Sequence, residues 1–147
     1  AFMKAGVLEF GMVYAPVRDE LFAGGRLYPA TRNGQSVRKH PGKSIKEGIV
    51  AMGYSTRVTP DEFLPMFSRF VRAGGMFYRD GSGALDLCYV ASGQLLGYLE
   101  PHINSWDCLA ALAIIQAAGL KTNDFLANDG LTKGNHLIVG NAEVYAE

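Results

Sequence analysis

Residues Trp106 to Ala118 form a run in which eleven of thirteen side chains are apolar, Asp107 and Gln116 being the exceptions. Ser105 before it and Gly119 after it bracket a helix without an adequate polar face. Such a helix must be covered on most sides, so packed layers are needed around it. A membrane is excluded as the cover: the longest unbroken apolar run, Cys108 to Ile115, has eight residues, against the roughly 20 that a spanning helix needs. The rest of the chain must supply the layers. At 147 residues, 48% of them apolar, it is long enough to enclose a core of its own.

Fourteen basic and fourteen acidic side chains cancel. No net field therefore favours nucleic acid or an anionic membrane as the main partner, and an anionic substrate has to be held by a local arrangement. Only two cysteines occur, Cys88 and Cys108, and no secretory leader pattern opens the chain. Both facts point to a reduced, cytoplasmic setting with the thiols as core filler. The first residue is Ala1 rather than Met, which reads as the remnant of a longer chain.

The elements follow from pattern and punctuation. Leu8 to Tyr14 reads as a strand, Ala15 to Asp19 as a turn carrying Pro16, and Glu20 to Ala23 as the returning strand. This β-meander continues through Arg26-Leu27-Tyr28 to Asn33-Gly34, a dipeptide that tolerates the positive φ of a tight turn. Ile49 to Met52 is a short buried strand ended by Gly53. Thr59 caps a helix with Pro60 at its first position, and Phe63, Phe67, Phe70 and Val71 share one face. Pro65 is expected to kink that helix or delay its start. Ser82 caps a second helix, Ala84 to Ala91, stopped at Gly93; Leu95 to Leu99 is a strand and Leu137 to Val139 the last one. The order predicts a mixed α+β (α/β) fold, a mixed sheet packed by helices with the meander at its N-terminal side.

Three places are chemically interesting. Asp107 opens the apolar helix, where a buried unpaired carboxylate would be costly unless a cation, metal or donor cluster compensates. The plainer reading is a first-turn acid satisfied by free amides and the helix dipole. Glu100 is read as closing the strand seven residues before Asp107, which sets both carboxylates at one rim of the sheet, the position of crevices in α/β proteins. Otherwise it is a solvated loop acid. Gly81-Ser82-Gly83 lets a ligand approach the free amides of a helix start, and ordinary capping by Ser82 explains the same letters. His40, His102 and His136 are isolated, and no nucleophilic triad, phosphate loop or dinucleotide fingerprint is present.

The stretch Arg79-Asp80-Gly81-Ser82-Gly83-Ala84-Leu85-Asp86-Leu87, then Gly97-Tyr98-Leu99-Glu100, then Trp106-Asp107 and its apolar helix, resembles the inositol monophosphatase family. Leu8 to Ala23 and Asn33-Gly34-Gln35 are similar to the family's sheet beyond its first metal motif, and Val139-Gly140-Asn141 to its closing strand. The resemblance implies a layered sugar-phosphatase fold and Mg²⁺-dependent hydrolysis of a small phosphorylated polyol or sugar, in a protein that is commonly a homodimer. It implies that Asp107 is a metal ligand, that Glu100 accepts a substrate hydroxyl, and that Gly83, with Ser82 beside it, offers a backbone amide to the substrate. Trp106 is expected to pack into the core, Asp86 to be structural, and Arg79 to serve substrate or a subunit interface.

The family's Glu-Glu pair and its D-P-x-D-G-T element have no counterpart in these residues. The resemblance therefore implies a single unit equivalent to the family's C-terminal portion, with 1–40 the remnant of an upstream sheet and 41–147 the substrate-side subdomain. No catalytic residue is assigned on this chain. It is expected to be inactive alone and to need the upstream portion of its own chain. The competing reading is a non-catalytic binding or regulatory module.

Overall fold

The computed structural model describes residues 1–147. The N-terminal residues form five antiparallel strands: β1 (Phe2–Lys4), β2 (Val7–Ala15), β3 (Glu20–Gly25), β4 (Tyr28–Arg32) and β5 (Gln35–Ser36), adjacent in chain order. The predicted meander is thus present, extended by a short strand at each edge. Asn33 and Gly34 both take positive φ, 50° and 77°, and close the β4–β5 hairpin as a tight turn of that dipeptide requires.

The second sheet is mixed. Its strands are β6 (Ile49–Met52), β7 (Met76–Tyr78), β8 (Gly97–Ile103), β9 (Lys121–Thr122) and β10 (Asn135–Gly140), in the order β7-β6-β8-β10-β9. β6 runs parallel to β7 and β8, while β10 is antiparallel to β8 and β9. Five helices complete the chain: α1 (Pro60–Arg72), α2 (Gly83–Ala91), α3 (Ser105–Ala117), α4 (Gly130–Lys133) and α5 (Ala142–Ala146). None is long and apolar enough to cross a membrane. The mixed α+β fold expected from the sequence is the one observed.

Helix α3 lies between layers, as its composition demands. Cys108, Ala111, Leu112, Ala113, Ile114 and Ile115 are buried, with β2, β3 and β4 on one side and α2 on the other. Its approach to the meander is a backbone-to-backbone contact. A Cβ at Gly11 would fall 1.9 Å from the Ala110 carbonyl oxygen, and one at Gly24 3.1 Å from the Ile114 Cα. Only glycine leaves room for the helix to settle on β2 at this depth. On the opposite face of β2, Met12 and Tyr14 are exposed.

The buried half of α3 bears out the expectation, but its first turn does not. Trp106 is 73% exposed and Asp107 is exposed as well. The reading of Trp106 as core packing, and of Asp107 as a carboxylate in a costly buried position, is therefore corrected. Ser105 and Cys108 in the same turn are buried, so it is only the face bearing Trp106 and Asp107 that lies outside the covering layers.

The meander is fastened to α2 by a polar latch. Glu20, 6% exposed, pairs with Arg32 and accepts a hydrogen bond from the Tyr89 hydroxyl at 3.0 Å. Arg18 donates to the same hydroxyl at 2.8 Å and lies over the Tyr89 ring. A buried carboxylate is tolerable when satisfied in this way.

Helix α1 packs on the second sheet through Met66, Phe67 and Phe70 and joins a smaller core around Val50, Met52, Leu96 and Val144. The predicted Thr59 cap is a full capping box with Glu62. Pro65 sits inside α1, which starts at Pro60 and runs to Arg72, so the expected delayed start is not seen. Phe63, Phe67 and Phe70 are half-buried, and Phe63 and Phe67 carry an aromatic chain from Tyr54 to Phe77, whereas Val71 is exposed. Cys88 and Cys108 are free and buried, as core filler should be.

Candidate substrate site

The parallel strands β6, β7 and β8 present their C-terminal ends along one rim, where crevices form in sheets of this kind. Gly53 follows β6, Arg79 follows β7, and Glu100 lies on β8, with the N-terminus of α2 above them. Together they line a cavity of about 60 Å³ that includes Tyr98, Asp86, Gly81 and Gly83. Larger depressions beside Gly25 to Pro29 and beside Arg32 to Arg38 hold no carboxylate. The small cavity is where buried acids gather.

Glu100 does not close its strand as read from the sequence; it lies inside β8, which begins at Gly97 and runs on to Ile103. It is 7% exposed, so it is not a solvated loop acid. One oxygen, Oε2, accepts the Tyr98 hydroxyl. Gly53 makes the space, since a Cβ there would fall 2.2 Å from the Glu100 Cδ. Burial raises the Glu100 pKa; the Tyr98 hydrogen bond opposes it, the Asp107 charge adds to it, and Arg79 and His102 oppose it. The carboxyl thus lines the cavity with one oxygen engaged by Tyr98.

Gly83 begins α2 against the same group of atoms. A Cβ on it would come 2.9 Å from the Tyr98 hydroxyl, 2.8 Å from Ile103 Cδ1 and 3.8 Å from the Asp107 carbonyl oxygen. The structure therefore brings Gly83, Glu100 and the start of α3 together. Asp107 stands at the rim with Asn104 Nδ2 at 3.5 Å from its Oδ2. No set of three or more His, Cys, Asp or Glu side chains converges to hold a metal ion.

Ser82 is not brought into the cavity. It occupies the N-cap position of α2 but makes no side-chain capping bond, so the predicted cap is corrected. Its own N–H donates to Asp80 Oδ1 at 2.8 Å, and its side lines a separate depression with Arg18 and Leu85. The reason is local: the turn through Gly81 spends the Ser82 amide on Asp80 and swings the hydroxyl outward.

Two cavity residues are not assigned to the site from the sequence: Tyr98, and Asp86, expected only to be structural. Tyr98 shares a strand face with Glu100, as residues two apart must, and that period was available. Asp86, 3% exposed, lies three residues after Gly83 on the same helix face. Its carboxyl is held up to about 7, first by burial, then by the charge and hydrogen bond of Asp80 and the charge of Glu100, against the pull of Arg79.

With this geometry in view, comparisons with known proteins place the chain. The model of the inositol monophosphatase family matches residues 1–147. A Nus factor SuhB of Haemophilus influenzae is 34% identical over 142 residues, covering 95% of this chain and 53% of that protein. The crystal structure of the extragenic suppressor protein suhB of Bartonella henselae superposes with a TM-score of 0.82 at 29% identity, covering 96% of this chain and 55% of that one. An inositol monophosphatase from Anabaena gives a TM-score of 0.80 at 28% identity, over 93% of this chain and 55% of that one. The chain spans about half the length of the relatives it matches.

Proposed function

Since the chain belongs to the inositol monophosphatase family, we propose that it supplies the substrate-side half of a phosphomonoesterase acting on an inositol or sugar phosphate. The observation that carries this reading is that Glu100 and Gly83 line one small polar cavity, with the start of α3 beside Gly83 through the Asp107 carbonyl. Glu100 Oε1 accepts a substrate hydroxyl, while Tyr98 fixes the carboxyl's orientation through the other oxygen. The amides at the start of α2 face the anionic ester, as helix N-termini do. The tight walls at Gly53 and Gly83 keep bulk water from the bound hydroxyl.

Mg²⁺ requires near-octahedral oxygen ligation. Asp107 is exposed and no set of three His, Cys, Asp or Glu side chains forms around it, so the chain's own residues do not by themselves make a site that fits the ion. In the proposed enzyme Asp107 contributes one ligand and the others come from residues outside these 147. The chain alone is then inactive, and the upstream portion of the same protein is its first partner. The two buried free thiols support a reduced, cytoplasmic setting, and a homodimer completes the proposal.

The test is phosphate release from an inositol monophosphate with Mg²⁺. No release is expected from the 147-residue chain, release from a longer protein containing it, and nearly complete loss of kcat in Asp107→Asn. Turnover retained in that variant would refute the role of Asp107. A second reading, a non-catalytic regulatory module, is favoured by relatives that bear the name Nus factor. An intact natural mass of 15.9 kDa together with no phosphatase activity in any longer form would select it.

A further inference from the structure

The cations and anions that cancel in the whole chain are not spread evenly along it. Between Glu20 and Glu47 no acidic residue occurs, yet Arg26, Arg32, Arg38, Lys39, Lys43 and Lys46 all fall there, six of the fourteen cations. The neutral total therefore conceals one segregated basic tract, which a partner meets as a local positive field. Two of the six are paired within the protein, Arg26 with Glu9 and Arg32 with the buried Glu20. Arg38, Lys39, Lys43 and Lys46 are exposed, and none of them forms an ion pair. The acids that border the tract are already engaged: Asp19 accepts the Tyr14 hydroxyl, and Glu47 and Glu147 accept backbone amides of the loop at Lys43 and Ile45.

The fold gives this tract a shape. A depression of about 460 Å³ at the start of β4 is lined by Arg26, Leu27, Tyr28 and Pro29 against the end of α3. Leu27 is 86% and Tyr28 59% exposed there, an uncovered apolar and aromatic surface. A second depression, of about 390 Å³ at the far end of the strand, is lined by Arg32, Asn33, Gln35, Ser36 and Arg38 beside Ser92. Ser92 turns its hydroxyl to the Cys88 carbonyl, covering one of the helix-end carbonyls that would repel an anion. The five residues of β4 set the two recesses about 13 Å apart. Beyond them the loop carries the cations onward. It passes Gly93 at the end of α2, where an added Cβ would fall 2.4 Å from the Arg38 carbonyl oxygen, and lays the Lys46 side chain along Gly74 beyond α1.

We propose that the β4–β5 hairpin and the loop after it bind single-stranded nucleic acid without sequence preference, a base stacking on Tyr28 and the phosphates passing Arg38 and Lys39 toward Lys43 and Lys46. A ligand that satisfies both recesses needs a flat apolar part for one and an anionic, hydrogen-bond-accepting part for the other. A single strand alternates base and phosphate in that way, and grooves that hold it combine cations with aromatic platforms. A lone phosphate group fills only the Arg38 recess. A duplex keeps its base faces stacked inside, and the head groups of a bilayer present no flat ring to Tyr28. The surface shares no lining residue with the cavity of Glu100 and Gly83, so it is independent of the phosphatase reading.

The experiment is fluorescence anisotropy of a short labelled oligouridylate with the 147-residue protein, repeated from low to physiological salt. Binding is expected whose log affinity falls linearly with log salt, by about 0.7 for each phosphate contacted. The double variant Arg38→Gln, Lys39→Gln should weaken it about tenfold and reduce the slope by about 1.4, two phosphate contacts. Tyr28→Leu, which keeps an apolar side chain against Phe10, should weaken binding about fivefold or more and leave the slope unchanged. Arg57→Gln removes an exposed cation outside the tract and should leave the affinity within about twofold. Absence of salt-dependent binding, an equal loss in Arg57→Gln, or a double variant with an unchanged slope overturns the proposal. Saturable binding of inorganic pyrophosphate or of phosphatidylserine vesicles, with oligouridylate unable to compete, overturns it in favour of a free phosphate ligand or a membrane. Because no turnover is measured, failure of the phosphatase reading leaves every one of these outcomes decisive.

Discussion

Tyr89→Phe isolates the latch between the meander and α2. The ring stays, and with it the packing against Phe22 and the stacking of Arg18; only the hydroxyl is lost. That hydroxyl donates to Glu20 at 3.0 Å and accepts from Arg18 at 2.8 Å. Burial and the bond to Glu20 hold its pKa up to about 12, so it is a donor throughout the ordinary pH range. Hydrogen bonds to charged groups contribute about 1.5–3 kcal/mol each. Glu20 is buried and Arg18 exposed, so most of the loss falls on the Glu20 bond, and the Arg32 pair leaves that carboxylate partly satisfied. The expected destabilisation is about 2 kcal/mol, which lowers Tm by roughly 4–8 °C in a chain of this size. Urea and thermal unfolding followed by circular dichroism measure it. A double-mutant cycle with Glu20→Gln should return a coupling energy of about 1 kcal/mol or more. A loss under about 0.5 kcal/mol, or strict additivity in the cycle, would refute the latch as an energetic connection.

Three further outcomes are expected. The folded protein keeps the Asp86 proton up to about 7, above the ordinary value of 3.8, so folding holds a proton that the unfolded chain releases. Stability therefore falls as pH rises between those values, by up to about 4 kcal/mol. Asp86→Asn should flatten that stretch of the curve of denaturation midpoint against pH, and parallel curves would contradict the linkage. Gly11→Ala should cost about 3 kcal/mol or more, because the new methyl meets backbone that cannot rotate away; a native-like midpoint would remove the close approach of α3. Asp107→Asn should shift stability by less than about 0.5 kcal/mol, since its carboxylate is exposed, so any loss of turnover in an active longer form cannot be ascribed to misfolding.

The layered architecture was legible from α3, because a helix without a polar face has few places to go. What composition could not show was where the covering layers stop, and Trp106 and Asp107 lie beyond that edge. β8 was misplaced for a different reason. The apolar letters Leu95 and Leu96 precede the ladder, and the strand continues through Glu100 and Pro101. Proline is accepted there because the pairing with β6 spans only Gly97 to Leu99, leaving the missing N–H on a side without a partner strand. β5 and β9, two residues each, are too short for any period to register. α5 did leave a signal: Asn141 accepts the Val144 N–H in an N-cap arrangement readable in the sequence. Within the site, Glu100 and Gly83 were reachable from motif and spacing. Asp86 was not, because its importance lies in what Asp80 and Glu100 bring to it from other segments.

The glycine contact between β2 and α3 also fixes a distance. Ala110, whose carbonyl oxygen lies over Gly11, is three residues beyond Asp107, about 4.5 Å along the helix axis. Two backbones in contact have no rotamers to absorb a tilt, so the position of Asp107 is referenced to the meander. Glu100 is referenced instead to β6 and β10 through the register of β8. The separation of the two acids thus works as a gauge of the angle between the two sheets. A force applied to the exposed face of the meander, around Met12 and Tyr14, would be read out at the rim as a change in that spacing.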